Sequence, residues 1–215
     1  MSCKLLFIRH GQSLGNLNEV YLGHTDLDLS PLGVRQAEAV GDYLLNKHID
    51  KVYCSDLLRA YHTSLPFCKE SGIKPIKCTE LREIFAGDWE NQKFEYLINR
   101  YSKTYNIWRT DIGNAVPDNG EAVVHLFERI VSVVKSIALE NDGKTIAIFT
   151  HATPIRAFFT YVNTGNVADM KFLDWASNAS VSEVAFDSGK FKAIRYSFSD
   201  YLGDITTKLP TLVYF

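Results

Sequence analysis

A histidine between an arginine and a glycine follows the first apolar run of the sequence. The run 5–8 has the length and composition of a buried strand and ends at Arg9, His10 and Gly11. Arginine carries forked donors suited to phosphate or carboxylate, histidine can act as base, nucleophile or ligand near neutral pH, and glycine lets the backbone approach a ligand closely. An ordinary strand end would look the same, so the motif needs support from the rest of the chain.

Three further predicted strands are also followed by polar residues that could do chemistry. The carboxyl ends of strands in one α/β sheet meet at a common crevice, where such proteins bind ligands. The crevice would hold two histidines, at least two arginines and a glutamate, which suits a metal-free phosphomonoester site because the cations can hold the phosphoryl oxygens. The sequence has no cluster with metal-ligand spacing and no Gly-rich Lys-Ser/Thr loop. The strands and following residues are 51–54 with Ser55 to Arg59, 73–78 with Arg82 and Glu83, and 145–150 with His151.

Helices are predicted between these strands from capping residues and apolar periodicity. The clearest helix runs from 123 to 137, where apolar residues repeat at intervals of three and four. The predicted helix starts are Ser30-Pro31, Ser55-Asp56, a capping box from Asp118 to Glu121, and Thr153-Pro154.

The end of the sequence predicts a hairpin instead of another helix. Two strands, 182–186 and 191–198, flank the turn signal Asp187-Ser188-Gly189. Strands and helices alternate up to that point. We therefore predict an α/β fold: a three-layer α/β/α sandwich with a mostly parallel mixed sheet, a C-terminal antiparallel hairpin and a small helical cap insertion.

The cap is predicted from segment 84–117, which is rich in aromatic residues. Short helices over 93–101 and 105–111 would place it over the site; a helical excursion packed on the core is the alternative. We predict one domain over residues 1–215 with this cap-like insertion. The aromatic tail 211–215 could pack on the core or on a partner subunit. The aromatics of the cap are Phe85, Trp89, Phe94, Tyr96, Tyr101, Tyr105 and Trp108.

Composition excludes several classes of partner. The chain has 215 residues, 46% of them hydrophobic, and a net charge of −2, so it has no basic footprint for nucleic acid. No apolar run approaches the roughly 18 residues of a membrane span, and from the residues before Arg9 we expect no signal peptide. Its cysteines, Cys3, Cys54, Cys68 and Cys78, show no Cys-x-x-Cys spacing and indicate reduced thiols in a cytoplasmic protein.

Further motifs extend the pattern along nearly the whole chain, and their order is more specific than any one of them. In that order they resemble the histidine phosphatase superfamily, in the branch of cofactor-dependent phosphoglycerate mutases and related phosphatases. The matching residues are Arg9 to Ser13 with Asn16; Gly23, Asp26, Leu29, Ser30, Gly33, Gln36 and Ala37; 53–60 with Thr63; Leu81 to Glu83, Gly87, Trp89 and Glu90; and Asn178 to Ser180.

The resemblance implies a role for each residue of the crevice. His10 would be the nucleophile and form a phosphohistidine, while Arg9, Arg59 and His151 would hold the phosphoryl oxygens. Glu83 would protonate the leaving oxygen. The two arginine cations should disfavour protonation of His10, and a phosphate dianion should favour the protonated form of Glu83.

The expected substrate-binding residues are Asn16, Gln12, Ala152 and His24. Asn16 would complete the phosphate pocket or simply cap its loop, and His24 could face the substrate. Members of the family usually have glycine after the second histidine, where this chain has Ala152. If that position needs a positive φ or a close approach to phosphate, alanine adds a methyl group and strain.

The interval between Glu83 and Asp118 bears on the reaction. It is shorter than the insertion of the mutases, which supplies basic residues for bisphosphoglycerate, and it is aromatic and only modestly basic. Lys93 and Arg109 are the candidates there for binding a second anionic group. This favours a metal-independent phosphomonoester hydrolase without a cofactor, acting on a small phosphorylated metabolite. A phosphoglycerate mutase and a non-catalytic phosphate-binding module are the alternatives.

Candidate substrates are sugar phosphates, nucleotide-like phosphates such as α-ribazole phosphate, and phosphoglycerates. The oligomeric state does not follow from the sequence.

Overall fold

A six-stranded mixed sheet forms the centre of the fold. The computed structural model describes residues 2–207, so the tail 211–215 lies outside the described residues. The strands are β1 (Cys3–Arg9), β2 (Lys51–Cys54), β3 (Pro75–Lys77), β4 (Thr145–Thr150), β5 (Val181–Asp187) and β6 (Lys190–Phe198). They lie in the order β3-β2-β4-β1-β5-β6; β1 to β4 are parallel to one another, and β5 is antiparallel to both its neighbours.

The helices alternate with the parallel strands as predicted. Short 3₁₀ turns at Thr79–Leu81, Gly87–Trp89, Ile112–Asn114, Val167–Phe172 and Asp200–Ile205 connect the larger elements. The α-helices are α1 (Leu14–Leu17), α2 (Pro31–Leu45), α3 (Leu58–Ser71), α4 (Phe94–Arg100), α5 (Ser102–Thr110), α6 (Val123–Glu140) and α7 (Ala152–Asn163).

Side chains that alternate along β1 enter two separate cores, one on each face of the sheet. Leu5 and Phe7 pack with apolar residues of α6 and α7. Leu6 and Ile8 pack with apolar residues of α2 and α3. The predicted α/β fold with helices on both faces of a mostly parallel sheet is confirmed.

Two of the predicted caps are wrong because tertiary contacts take the capping side chains. Helix α3 begins at Leu58, whose backbone N–H donates to Asp26 Oδ1 at 2.7 Å. Ser55 Oγ lies 2.8 Å from His151 Nε2 and accepts only a long 3.4 Å bond from the backbone N–H of Leu57, the residue before the helix. Asp56 pairs with Arg82.

The predicted capping box before α6 is also absent. That helix begins at Val123 as expected, but its N-cap is Ala122. Asp118 accepts from the Trp89 indole, and Glu121 pairs with Arg129. By contrast Ser30 caps α2 as predicted, accepting from the backbone N–H of Gly33.

The segment 84–117 contains α4 and α5, near their predicted positions, and is held by a cluster of aromatic rings. Trp89 is fully buried at its centre and meets Tyr21, Tyr105 and Trp108 edge-on, with ring centroids 5.4–6.0 Å apart. Such edge-to-face pairs add to the free energy gained from burial alone. The cluster fixes the segment to the loop that precedes α2.

Over residues 2–207, no helix combines the length and apolar character needed to cross a membrane. Cys3, Cys54, Cys68 and Cys78 are all free thiols, in agreement with the prediction.

Trp89→Ala should lower the free energy of unfolding by about 3–5 kcal/mol, because it leaves a cavity among rings that cannot collapse into it. Urea denaturation measures this loss. The matched control is Tyr96→Ala, an aromatic of the same segment that is 47% exposed, for which we expect a change within about 0.5 kcal/mol. Equal losses in the two variants would contradict this description of segment 84–117.

Candidate active site

The pairing of β1 with β4 brings the two motif histidines together. The strands are parallel with Arg9 opposite Thr150, so both end at the same level. The backbone N–H of His10 donates to the Thr150 carbonyl at 3.0 Å, and the ring centroids of His10 and His151 are 5.2 Å apart. The predicted meeting of strand ends is therefore observed at the centre of the sheet.

A cleft opens over these strand ends. The space between its walls is about 690 Å³, a volume that includes space open to solvent. Its polar lining comes from Arg9, His10, Ser13, Asn16, Arg59, Glu83 and Thr153. Its apolar lining comes from Val20, Tyr21, Leu22, Phe94, Trp108, Ala152 and Trp175.

The ring of His10 is oriented by its own loop. Its Nδ1 lies 2.7 Å from the Gly11 carbonyl, which can only accept, so Nδ1 carries the proton and Nε2 has the lone pair. Burial, reinforced by the cations of Arg59 and Arg9, holds the pKa of His10 well below its usual value of 6.5. The ring is therefore neutral, with a nucleophilic nitrogen, at physiological pH.

His151 is fully buried beside His10 and occupies the N-cap position of α7, where its side chain makes no capping hydrogen bond. Its Nε2 lies 2.8 Å from the Ser55 hydroxyl, while its Nδ1 has no hydrogen-bond partner within residues 2–207. Burial, together with the nearby Arg59, holds the pKa of His151 well below 6.5.

Arg59 is held by backbone carbonyls of the loop before α2. It is 1% exposed and donates to Thr25 at 3.0 Å and to Gly23 at 2.7 Å. Burial lowers its pKa to about 10, so it remains a cation at neutral pH. Arg9 is similarly fixed by a 2.6 Å bond to the Ala176 carbonyl.

The carboxylate of Glu90 holds that loop from the opposite side. It accepts backbone N–H bonds from Gly23, His24, Thr25 and Ala86 at 2.6–3.1 Å. Burial alone would raise its pKa, but these bonds and the Thr25 hydroxyl outweigh burial and lower it. Gly23 must be glycine here, because a Cβ would lie 2.4 Å from the backbone carbonyl oxygen of Ile84 and 2.7 Å from the backbone nitrogen of Ala86.

Glu83 faces the cleft from the loop after β3. Its carboxylate accepts from the backbone N–H of Ile84 at 2.8 Å and of Thr153 at 3.3 Å. Burial nevertheless raises its pKa above the usual 4.5, which favours the protonated acid.

Arg129, a residue that the sequence analysis did not select, fixes the position of this acid loop. From α6 it donates to the carbonyls of Glu80, Arg82 and Glu83 at 2.6–3.4 Å and forms a forked pair with Glu121. The only sequence signal was an arginine on the polar face of a helix, which most often indicates a solvated charge.

Two of the predicted substrate-binding residues line the cleft and two do not. Asn16 accepts from Ser13 and Asn178 through Oδ1, so it caps its loop and also lines the cleft. Ala152 lies in the first turn of α7 and is not among the non-glycine residues with positive φ, so it causes none of the backbone strain considered above.

Gln12 and His24 are outside the cleft lining. The side chain of Gln12 accepts from the Ser30 hydroxyl at 2.7 Å. His24 Nε2 lies 3.1 Å from the Glu83 carbonyl, so its ring braces the acid loop. Lys93 and Arg109 also lie outside the lining.

A sequence profile of the histidine phosphatase superfamily (branch 1) matches residues 5–199. The chain belongs to this superfamily. The profile covers the strand ends, the acid loop and the last hairpin, and thus confirms the predicted family.

Relatives and solved structures of the superfamily are similar over most of the chain. The adenosylcobalamin/alpha-ribazole phosphatase of Salmonella typhimurium is 30% identical over 148 residues, 69% of this chain and 73% of that protein. A 2,3-bisphosphoglycerate-dependent phosphoglycerate mutase of Cytophaga hutchinsonii is 29% identical over 180 residues, 81% of this chain and 84% of that protein. A mycobacterial glucosyl-3-phosphoglycerate phosphatase with VO3 superposes with a TM-score of 0.84 at 27% identity, covering 91% of this chain and 99% of that one. These phosphatases confirm the predicted enzyme class, a phosphatase of the histidine phosphatase superfamily.

The His10 ring should remain neutral while the pH is lowered through 6.5, because its pKa in the folded protein lies well below that value. An NMR titration of the His10 Cε1–H resonance, assigned by comparison with His10→Gln, measures this. A titration midpoint at or above 6.5 would contradict the electrostatics described here.

Proposed function

We propose that the protein is a metal-independent phosphomonoester hydrolase that transfers the phosphoryl group of a small metabolite to His10 Nε2. The observation that supports this most directly is the hydrogen bond from His10 Nδ1 to the Gly11 carbonyl. This hydrogen bond places the proton on Nδ1, so Nε2 has the lone pair. The His10 ring is buried and neutral, and it lines the cleft. Arg9 and Arg59 line the same cleft and supply positive charge for the phosphoryl oxygens.

In the first step the Nε2 lone pair of His10 forms a bond to phosphorus while the ester P–O bond breaks. The leaving oxygen takes the proton of Glu83, whose raised pKa keeps that proton available. The Gly11 carbonyl continues to accept from Nδ1 as positive charge develops on the ring. Arg9 and Arg59 would stabilise the charge on the equatorial phosphoryl oxygens. His151, which contacts the His10 ring but is outside the cleft lining, would donate from Nδ1 in the tautomer whose Nε2 accepts from Ser55.

In the second step water attacks phosphorus and the P–N bond breaks. The Glu83 carboxylate takes a proton from the water, so inorganic phosphate leaves and both His10 and Glu83 return to their starting protonation states. Catalysis then needs no co-reactant other than water.

A phosphoglycerate mutase would use the same nucleophile but must bind a substrate with a second anionic group. Within the part of the chain that the structure describes, the cleft lining contains Arg9 and Arg59 but no lysine. Both arginines are close to His10, where the transferred group is held. This arrangement favours the hydrolase, and we expect activity to be independent of added 2,3-bisphosphoglycerate.

Hydrolysis of p-nitrophenyl phosphate should persist in excess EDTA and fall about a thousandfold or more in His10→Ala, because the variant lacks the nucleophile. Release of inorganic phosphate measures both effects. His48→Ala removes a histidine whose side chain is 93% exposed and should retain full activity.

Loss of activity in EDTA, restored by a divalent metal, would contradict the metal-independent mechanism. Tight phosphate binding without turnover of any phosphomonoester would instead support the non-catalytic phosphate-binding module.

A further inference from the structure

We propose that the cleft selects phosphomonoesters of uncharged alcohols that carry a ring and discriminates against substrates with a second anionic group. The inference rests on the proposed function and specifies its substrate class. Two features of the cleft support it: the distribution of charge in its lining and the aromatic residues of its wall.

The charge of the lining is matched to a single phosphate group. Arg9 and Arg59 are the cations of this lining and Glu83 is its acid, which is protonated before transfer, and all three belong to the proposed phosphoryl-transfer machinery. Two guanidinium groups balance one phosphate dianion. No lining residue among those described supplies a further cation for a carboxylate or a second phosphate.

The cation that contacts the Trp175 ring, Arg156, is already engaged by a backbone carbonyl. Arg156 donates to the Met170 carbonyl at 2.8 Å, and its guanidinium carbon lies 4.4 Å from the centre of the Trp175 ring. It therefore stabilises the wall through a cation–π contact and is not part of the lining.

Apart from the polar residues Ser13, Asn16 and Thr153, the rest of the lining is aromatic and aliphatic. The rings of Trp108 and Trp175 stack with centroids 5.9 Å apart and planes 27° apart. Tyr21 meets Trp108 edge-on at 5.6 Å and Phe94 at 6.1 Å. Val20 completes this surface.

The wall does more than fill the core, because Trp175 is partly exposed in the cleft, whereas Trp89, which packs behind the wall, is not. Trp89 is fully buried and absent from the lining, whereas Trp175 is only partly buried and lines the cleft. A flat ring in the leaving group can contact Trp175 and exclude water from it. A carboxylate against the same surface would lose hydration without gaining a partner.

Three phosphomonoesters of alkyl alcohols separate the effect of the aromatic wall from the effect of the charge in the lining. The leaving alcohol of benzyl phosphate is uncharged and carries a ring. The leaving alcohol of sn-glycerol 3-phosphate is uncharged and has no ring, and that of 3-phosphoglycerate adds a carboxylate to a similar carbon chain. We expect kcat/KM to fall about tenfold from benzyl phosphate to sn-glycerol 3-phosphate, and about tenfold again from sn-glycerol 3-phosphate to 3-phosphoglycerate.

Variants of the wall test whether it causes this order. Trp175→Leu should reduce the ratio of kcat/KM for benzyl phosphate to kcat/KM for sn-glycerol 3-phosphate about fivefold to tenfold. The separate variant Trp175→Phe should keep most of the wild-type ratio. Tyr96→Leu, an exposed aromatic outside the cleft, should leave the ratio unchanged. Val20→Arg should raise the activity towards 3-phosphoglycerate relative to sn-glycerol 3-phosphate.

The outcomes distinguish this inference from the proposed function. A wild-type preference for 3-phosphoglycerate, or a benzyl-to-glycerol ratio that Trp175→Leu does not change, would overturn the substrate class while His10-dependent hydrolysis stands. If the protein hydrolysed neither these esters nor p-nitrophenyl phosphate, the proposed function itself would fail.

Discussion

The parallel pairing of β1 with β4 is the constraint on which the rest of the site depends. Because Arg9 lies opposite Thr150, the residues that follow the two strands, His10 and His151, emerge side by side. A shift of one residue in this register would turn every side chain of β1 to the other face of the sheet. Leu5 and Phe7 on one face and Leu6 and Ile8 on the other specify the register through two separate cores.

Around this centre, buried charges are held by backbone groups more than by opposite charges. Arg59 donates to the carbonyls of Gly23 and Thr25, and Glu90 accepts the N–H groups of the same residues. The loop between them therefore has its donors and acceptors satisfied on both sides. Such a rigid frame positions a cation before the substrate arrives, which reduces reorganisation during phosphoryl transfer.

The sequence allowed prediction of the features that depend on local pattern. Apolar runs and periodicity located the strands and helices, and the order of motifs identified the residues at the strand ends. The caps at Ser55 and Asp118 were wrong because distant partners, His151 and Trp89, take their side-chain oxygens.

The remaining features depend on contacts between residues far apart in the sequence. Arg129 reaches the acid loop across 46 to 49 positions, and a solvated helix face was the more probable interpretation from sequence alone. Gln12 matches the family motif but faces Ser30 instead of the cleft. Residues that line the cleft could be selected by type, but their orientation required the tertiary structure.

The central claim is that His10 carries the phosphoryl group. Rapid acid-free quenching of the enzyme during turnover of a ³²P-labelled phosphomonoester, followed by peptide mapping, tests it most directly. We expect a label that is stable in alkali, labile in acid and confined to the peptide containing His10, and absent from His10→Gln. A label on another residue, or turnover without any labelled enzyme, would contradict the account.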